Sequence, residues 1–207
     1  MIDFNNLKTA FADKSDADLN RAYLLFKSMS NRFVSKILIG LVQFSLKLHL
    51  PIKSIIKSTV YKHFCGGETI QQSQTTIDKL WQSRIGTILD FSAEGKESTN
   101  DFNKALEQTL ASIEKAAVSD SIPFSVFKPT GLCKFSILEK INNNGPLSAE
   151  EEIEKKEYEA RVDAICKSAF DKNVAVFIDA EESWIQYDID SIAEQMMEKY
   201  NQKKALI

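Results

Sequence analysis

Ionisable side chains stand at the ends of three short apolar segments of the sequence. They are Asp90 and Glu94 for the first segment, Lys128 for the second, and Asp179, Glu181 and Glu182 for the third. The carboxyl ends of parallel strands meet at one edge of a sheet, where catalytic and binding groups gather. Groups of both charge signs at such an edge predict a functional site. Ordinary solvation of strand ends is the alternative interpretation.

Lys128 offers the most specific chemistry of this set. It lies between Phe127 and Pro129, so its aliphatic stem is expected to rest against apolar neighbours. A lysine held in this way can stay charged and bind a substrate carboxylate, or lose its proton and form a Schiff base. The plainer alternative is a lysine whose amine reaches solvent.

Three strand–helix units are needed to position these groups. We predict strands at 86–91, 123–127 and 174–178 and helices at 98–118, 148–170 and 188–204. The continuous apolar run 174–178 is typical of a strand buried on both faces. Such an order predicts an α/β fold with a parallel sheet covered by helices. An eight-unit barrel needs about 250 residues, so 85–207 fit a small open α/β protein or the first part of a larger one.

The first part of the chain, residues 1–84, is predicted to be helical. Ser15 and Asp18 have the spacing of a capping box at the start of a helix. The apolar segment 33–50 is interrupted by charges, and its uncharged middle, 37–46, falls short of the ~20 residues that span a bilayer. We therefore expect a buried or interfacial helix that ends before Pro51.

Charge divides the chain. Residues 1–84 carry 12 Lys and Arg against 6 Asp and Glu, whereas residues 85–207 carry 14 against 23. The basic part suits an anionic membrane surface or another polyanion, whereas the acidic part argues against nucleic-acid binding. Three cysteines and the absence of a signal-peptide pattern predict a cytoplasmic location. His63 and Cys65 lack a second ligand pair, so no metal site is predicted.

Four ordered segments together resemble the proline dehydrogenase family. They are His63-Phe64-Cys65-Gly66-Gly67-Glu68-Thr69-Ile70, Ile88-Leu89-Asp90-Phe91-Ser92-Ala93-Glu94-Gly95, Phe124-Ser125-Val126-Phe127-Lys128-Pro129-Thr130 and Phe177-Ile178-Asp179-Ala180-Glu181-Glu182-Ser183. The resemblance implies a (β/α)8 barrel that holds FAD and is preceded by helices. Here it implies a helical region, 1–84, and the first three strand–helix units of a partial (β/α)8 barrel, 85–207. It also implies oxidation of L-proline to Δ1-pyrroline-5-carboxylate, with electrons passed to quinone and a peripheral contact with the inner membrane face.

The resemblance also implies roles for three of the strand-end residues. Lys128 matches a catalytic-site lysine that binds the proline carboxylate, and Asp179 matches a catalytic-site aspartate beside substrate and flavin. Glu94 matches a glutamate that pairs with a substrate-binding arginine and gates the pocket. A cation for the carboxylate and carboxylates near the amine suit an amino-acid substrate.

The family's paired arginines, its substrate-capping tyrosines and most of its flavin contacts have no equivalent in these 207 residues. We therefore expect this polypeptide alone neither to retain FAD nor to oxidise proline. Two alternatives stay open: a Schiff-base lyase that uses Lys128, and a non-catalytic interaction module made of the helices and a partial barrel.

Overall fold

The structure, a computed structural model, describes residues 3–91 and 95–207. It divides into two compact units, residues 1–76 and 77–207. The division falls inside a single helix, Ile70–Gln82. The boundary predicted after residue 84, between a helical region and a partial barrel, stays a prediction.

Residues of the first unit form helices joined by short turns. The elements are α1 (Leu7–Ala10), α2 (Asp16–Ser30), α3 (Arg32–Lys47), α4 (Lys53–Ile56), a π-helical segment (Lys57–Tyr61), α5 (Lys62–Phe64) and the start of α6 (Ile70–Gln82). Ser15 and Asp18 form the predicted capping box at the start of α2. The side chain of Asn31 accepts hydrogen bonds from the amides of Phe33 and Val34 in the first turn of α3.

The helices of the first unit leave most of their side chains exposed. An aromatic cluster joins α2 to α5, with the Phe26 ring 5.1 Å from the His63 ring and 6.3 Å from the Phe64 ring. Among the described residues 3–76, only Ser73 is buried. A helix does form within segment 33–50, but its burial, one of the two predicted alternatives, is wrong. No helix in the described part of the chain is long and apolar enough to cross a membrane.

The second unit is a mostly helical α/β structure built around a small parallel sheet. Its elements are α7 (Thr99–Ala117), β1 (Phe124–Phe127), a 3-10 turn (Pro129–Gly131), α8 (Phe135–Asn142), α9 (Ala149–Lys172), β2 (Ala175–Ile178) and α10 (Gln186–Tyr200). β1 and β2 pair in parallel, with Phe124 opposite Ala175 and Phe127 opposite Ile178. The predicted α/β class and the predicted strands at 123–127 and 174–178 are thus confirmed.

The first predicted strand, 86–91, forms less of a ladder than expected. Leu89 makes a single parallel bridge to Ser125 of β1, and the amide of Thr87 bonds to the carbonyl of Ser121 instead. Because Ser121 precedes β1, that bond lies outside the ladder, and the segment is left with one bridge instead of the consecutive pairings of a strand. The bridge still places the three segments side by side in chain order.

One face of the sheet carries the core. α7 packs on β1 and α9 packs on β2, and the hydroxyls of Ser112 and Ser125 bond across that interface at 2.7 Å. Ser125, Phe127 and Val176 are buried on this face. Large fully buried side chains complete the core: Phe102, Ile113, Leu138, Tyr158, Ile165 and Ile189.

The opposite face of the sheet is uncovered among the described residues. Phe124 and Phe177 stack on it with ring centroids 4.6 Å apart, and Phe177 is 46% exposed. The prediction that segment 174–178 is buried on both faces is therefore wrong. Its apolar pattern reflects one face packed on helices and one face that presents apolar side chains to open space.

Candidate functional site

Lys128 and Asp179 extend the register of the two strands by one residue. The amide of Asp179 donates a hydrogen bond to the carbonyl of Phe127 at 3.0 Å. Because successive side chains in a strand alternate between faces, both residues share the uncovered face with Val126 and Phe177. Lys128 Nζ lies 3.0 Å from Asp179 Oδ2, and the two side chains are 24% and 46% exposed. The sheet thus presents an accessible ion pair at its carboxyl edge.

The backbone around Lys128 is fixed by its neighbours in sequence. A residue that precedes proline is driven into extended conformations, and Lys128 has φ −104° and ψ 128°. The 3-10 turn Pro129–Gly131 then begins at once, and the amide of Gly131 bonds to the carbonyl of Lys128 at 3.0 Å. The lysine therefore cannot continue the strand, and its side chain is held at the sheet edge.

Thr130 and Glu181 connect the loops that follow the two strands. The amide of Thr130 donates to Glu181 Oε1 at 2.9 Å, and its hydroxyl donates to Glu181 Oε2. Burial raises the pKa of Glu181, and the two Thr130 hydrogen bonds and the nearby Lys128 charge oppose that rise. Sequence reasoning placed Glu181 at the strand edge but missed its partner. No local signal in the sequence marks Thr130 as that partner, because the two residues are 51 positions apart.

The described residues form recesses along this edge. A cavity of about 540 Å³ is lined by Ile88, Asp90, Val126, Phe177 and Asp179, among others. A second recess of about 430 Å³ lies over Thr130 and Glu181. The apolar walls of the first, with charged groups at its rim, have the composition of a small-molecule site.

The structure brings together two of the three predicted site residues. Lys128 and Asp179 form an ion pair, and Asp90 lines the same cavity as Asp179. Glu94 lies outside the described residues. No group of three or more His, Cys, Asp or Glu suited to a metal ion is present in the described ranges.

The ion pair determines which lysine chemistry the site favours. A carboxylate 3.0 Å away stabilises the ammonium form of Lys128. Schiff-base formation needs the neutral amine, whereas binding a carboxylate needs the ammonium. The geometry therefore favours a lysine that binds an anionic group of a ligand.

Comparison with known proteins identifies a matching family model and several related proteins. The family model described as "Proline dehydrogenase" matches residues 73–207. "Proline dehydrogenase 1, mitochondrial" of Dictyostelium discoideum is 28% identical, over 95% of this chain and 41% of that protein. "Carbapenem antibiotics biosynthesis protein CarD" of Pectobacterium carotovorum is 31% identical, over 72% of this chain and 40% of that protein. "Probable proline dehydrogenase, mitochondrial" of Schizosaccharomyces pombe is 24% identical, over 90% of this chain and 48% of that protein.

The chain thus spans less than half the length of these relatives. The family match nevertheless covers most of the chain, and it includes both strands, the edge ion pair and every helix of the second unit. On that match, the chain belongs to the proline dehydrogenase family.

Proposed function

We propose that this chain supplies the first strand–helix units of an FAD-dependent enzyme that oxidises L-proline to Δ1-pyrroline-5-carboxylate. The observation that carries the proposal is the Lys128–Asp179 pair, exposed at the carboxyl edge of a parallel sheet. Family membership supports the reaction class. Quinone, the electron acceptor implied by the resemblance, is part of the same proposal.

The pair is complementary to a zwitterionic amino acid. Lys128 offers a cation for the substrate carboxylate, and Asp179 offers a carboxylate near the substrate amine. Proline carries both groups, so its charges can replace those that the two side chains now offer each other. Glu94 is proposed to pair with a substrate-binding arginine and to control access to the pocket.

The residues of the uncovered face are suited to hold one side of a flavin ring. Val126 and Phe177 form an apolar surface, and Asp179 stands at its polar rim. A flat aromatic ring binds well to such a surface. When bound, FAD would supply the hydride acceptor that no amino-acid side chain provides.

A partial (β/α)8 barrel preceded by helices is the architecture proposed for the chain. The segment at Leu89, β1 and β2 lie side by side in chain order. The amide of Val176 donates to the carbonyl of Leu206 at 2.7 Å, so the backbone at Leu206 lies along the other edge of β2. This sequential order is the one that a barrel requires.

A hybrid protein tests the proposal. The chain would be joined to the remaining carboxyl-terminal part of the Dictyostelium relative, and the chain alone would be the reference. We expect the hybrid to contain flavin and to reduce a dye when proline is added, and the chain alone to do neither. Lys128→Met should abolish proline-dependent reduction, whereas Lys104→Met, an exposed lysine of α7, should not.

Two results would contradict the proposal. One is a yellow hybrid in which Lys128→Met oxidises proline as well as the parent does. The other is a flavin-containing hybrid that oxidises other amino acids but not proline. Hydroxyproline, tested beside proline, defines the substrate further.

A further inference from the structure

Two residues that the proposed reaction does not use lie directly behind the ion pair. Thr130 follows Lys128 by two positions, and Glu181 follows Asp179 by two positions. The amide of Thr130 donates to Glu181 Oε1 at 2.9 Å, and its hydroxyl donates to Glu181 Oε2. We call these two hydrogen bonds the Thr130–Glu181 link. It joins the loops that begin where β1 and β2 end.

Burial makes the Thr130–Glu181 link necessary for the fold at this edge. Thr130 is 7% exposed, so its amide and its hydroxyl have little access to water. A buried donor without an acceptor lowers stability, and Glu181 supplies an acceptor to each donor. Both oxygens of the Glu181 carboxylate are thereby bonded within the chain. Glu181 is therefore better suited to join the loops than to contact a ligand, unlike the more exposed Asp179.

Each side of the Thr130–Glu181 link is anchored to a helix. The carbonyl of Leu132, directly after the 3-10 turn, accepts a hydrogen bond from the buried Arg161 guanidinium of α9 at 3.1 Å. The amide of Glu181 donates to Oε1 of Gln186, the first residue of α10, at 3.1 Å. The two loops are thus attached to helices as well as to each other. Side chains supported in this way keep their positions more closely than side chains on unsupported loops.

The ion pair lies between two connections that join the strands. On the sheet side, the amide of Asp179 donates to the carbonyl of Phe127 at 3.0 Å. On the loop side is the Thr130–Glu181 link. Lys128 Nζ and Asp179 Oδ2 are 3.0 Å apart between these two connections. The backbones of Lys128 and Asp179 are therefore held together from both sides, whichever partner their side-chain charges have.

We propose that Thr130 and Glu181 are positioning residues of the proposed proline site. Their link holds the backbones of Lys128 and Asp179 at the spacing that receives the carboxylate and the amine of one small zwitterion. The proposal rests on the proposed function, because the link acts on the substrate only through Lys128 and Asp179. A displacement of about 1 Å in such groups can lower a reaction rate by about 100-fold.

Steady-state kinetics of the hybrid enzyme described above test this proposal. Glu181→Ala removes both acceptors and should raise the KM for proline by about tenfold, with kcat per bound flavin changed by less than about threefold. Thr130→Val removes only the hydroxyl donor and should raise the KM by about threefold. A variant that merely lost folded protein would contain less active enzyme and would keep the parent's KM. The KM therefore separates positioning from a loss of stability.

Conservative variants should restore the parent's behaviour. Thr130→Ser keeps the hydroxyl. Glu181→Gln keeps an acceptor for the Thr130 amide, and its own amide group can donate to the hydroxyl oxygen. Thr130→Val/Glu181→Ala should have the KM of Glu181→Ala alone, because both single changes break the same link. The matched control is Thr109→Val, which removes a buried hydroxyl that bonds within α7 and should leave the KM unchanged.

A second measurement uses the 207-residue chain without flavin. Amide hydrogen exchange, followed residue by residue by NMR, reports how firmly the backbone is held. The amide of Asp179 should exchange about tenfold faster in Glu181→Ala than in the parent, and at about the parent's rate in Glu181→Gln. The amide of Val176, which bonds to the carbonyl of Leu206, should be unaffected in both variants. A general loosening of the second unit would accelerate the exchange of both amides.

Three results would overturn the positioning role. One is an active hybrid in which Glu181→Ala keeps the parent's KM. Another is an Asp179 amide whose exchange does not respond to Glu181→Ala. The third is a Glu181→Gln variant with a KM as high as that of Glu181→Ala, which would mean that the charge of Glu181 acts on the substrate directly. A flavin-containing hybrid that did not oxidise proline would contradict the proposed function instead, and the exchange of the Asp179 amide would still decide whether the link holds the ion pair in place.

Discussion

The two units of this chain differ in how far they bury their apolar side chains. Every buried apolar side chain among the described residues lies in 77–207, whereas 20 of the 31 exposed large apolar side chains lie in 3–76. Their charges also differ, since residues 1–76 carry a net charge of +5 and residues 77–207 a net charge of −8. Among the described residues, the second unit buries an apolar core within its own chain, and the first unit does not.

This difference can be traced to the width of the apolar face on individual helices. α7 has one buried stripe, which includes Phe102, Ala105 and Ile113, and its remaining surface is polar. α3 is apolar around most of its circumference. A single stripe can be satisfied by one packing partner, whereas a broad apolar face needs a surrounding apolar environment. Apolar content alone therefore does not say whether a helix belongs to its own chain's core.

The largest expected effect sharpens this comparison with one substitution in each unit. Phe102 is 0% exposed and its ring lies 5.6 Å from the Arg161 guanidinium, whereas Phe33 is 73% exposed. Phe102→Ala should lower the free energy of unfolding by about 3–5 kcal/mol. Phe33→Ala should change it by less than about 0.5 kcal/mol. Urea denaturation followed by far-ultraviolet circular dichroism, which reports on the helices of both units, measures both.

An unfolding transition that responds equally to both substitutions would break the comparison. It would mean that Phe33 packs in solution as Phe102 does. Phe33→Ala is itself the control for Phe102→Ala, because both remove the same side chain from a helix.

A smaller effect is the pH dependence of the free energy of unfolding, which a buried carboxyl group of the second unit should cause. Asp188 is 8% exposed in the second unit, and burial raises its pKa from 3.8 to about 6, although Lys155 opposes the rise. The folded state therefore binds more protons than the unfolded state between these two values. The free energy of unfolding should fall as pH rises from about 4 to about 6, by about 3 kcal/mol at most from this group.

Asp188→Asn should remove that part of the pH dependence. The variant should be more stable than the parent at pH 7, and the advantage should shrink towards pH 4. Asp120→Asn, an exposed change in the same unit, is the control and should alter stability little at either pH. An Asp188→Asn variant whose difference from the parent is the same at both pH values would show that Asp188 does not titrate as described.

Local patterns in the sequence were enough to predict many elements of this fold. The helices, the capping box at Ser15, the strands at 124–127 and 175–178 and the positions of Lys128 and Asp179 at one sheet edge follow from periodicity and from the geometry of parallel strands. These features depend on neighbours in the chain or on a single strand pairing. They are therefore readable from residue order.

Features that depend on distant partners could not be predicted in the same way. Thr130 and Glu181 are 51 positions apart, and nothing local marks them as hydrogen-bond partners. The exposure of Phe177 also went unpredicted, and for α3 the sequence left burial and an interfacial position open. A run of apolar residues indicates that a segment needs cover, but it does not identify what provides the cover.

The smallest expected effect on stability tests the uncovered face of the second unit, where that unit most resembles the first. Asp179→Asn breaks the ion pair with Lys128, but Asp179 is 46% exposed, so the free energy of unfolding should change by less than about 1 kcal/mol. In the hybrid enzyme the same change should abolish most of the proline-dependent dye reduction. A substitution that lowers activity and leaves the free energy of unfolding almost unchanged identifies a residue that serves the chemistry. Phe102→Ala, by contrast, should act mainly by lowering the free energy of unfolding. If Asp179→Asn destabilised the chain as strongly as Phe102→Ala, the pair would be part of the core, and the open face of the sheet would lose its interpretation as a binding surface.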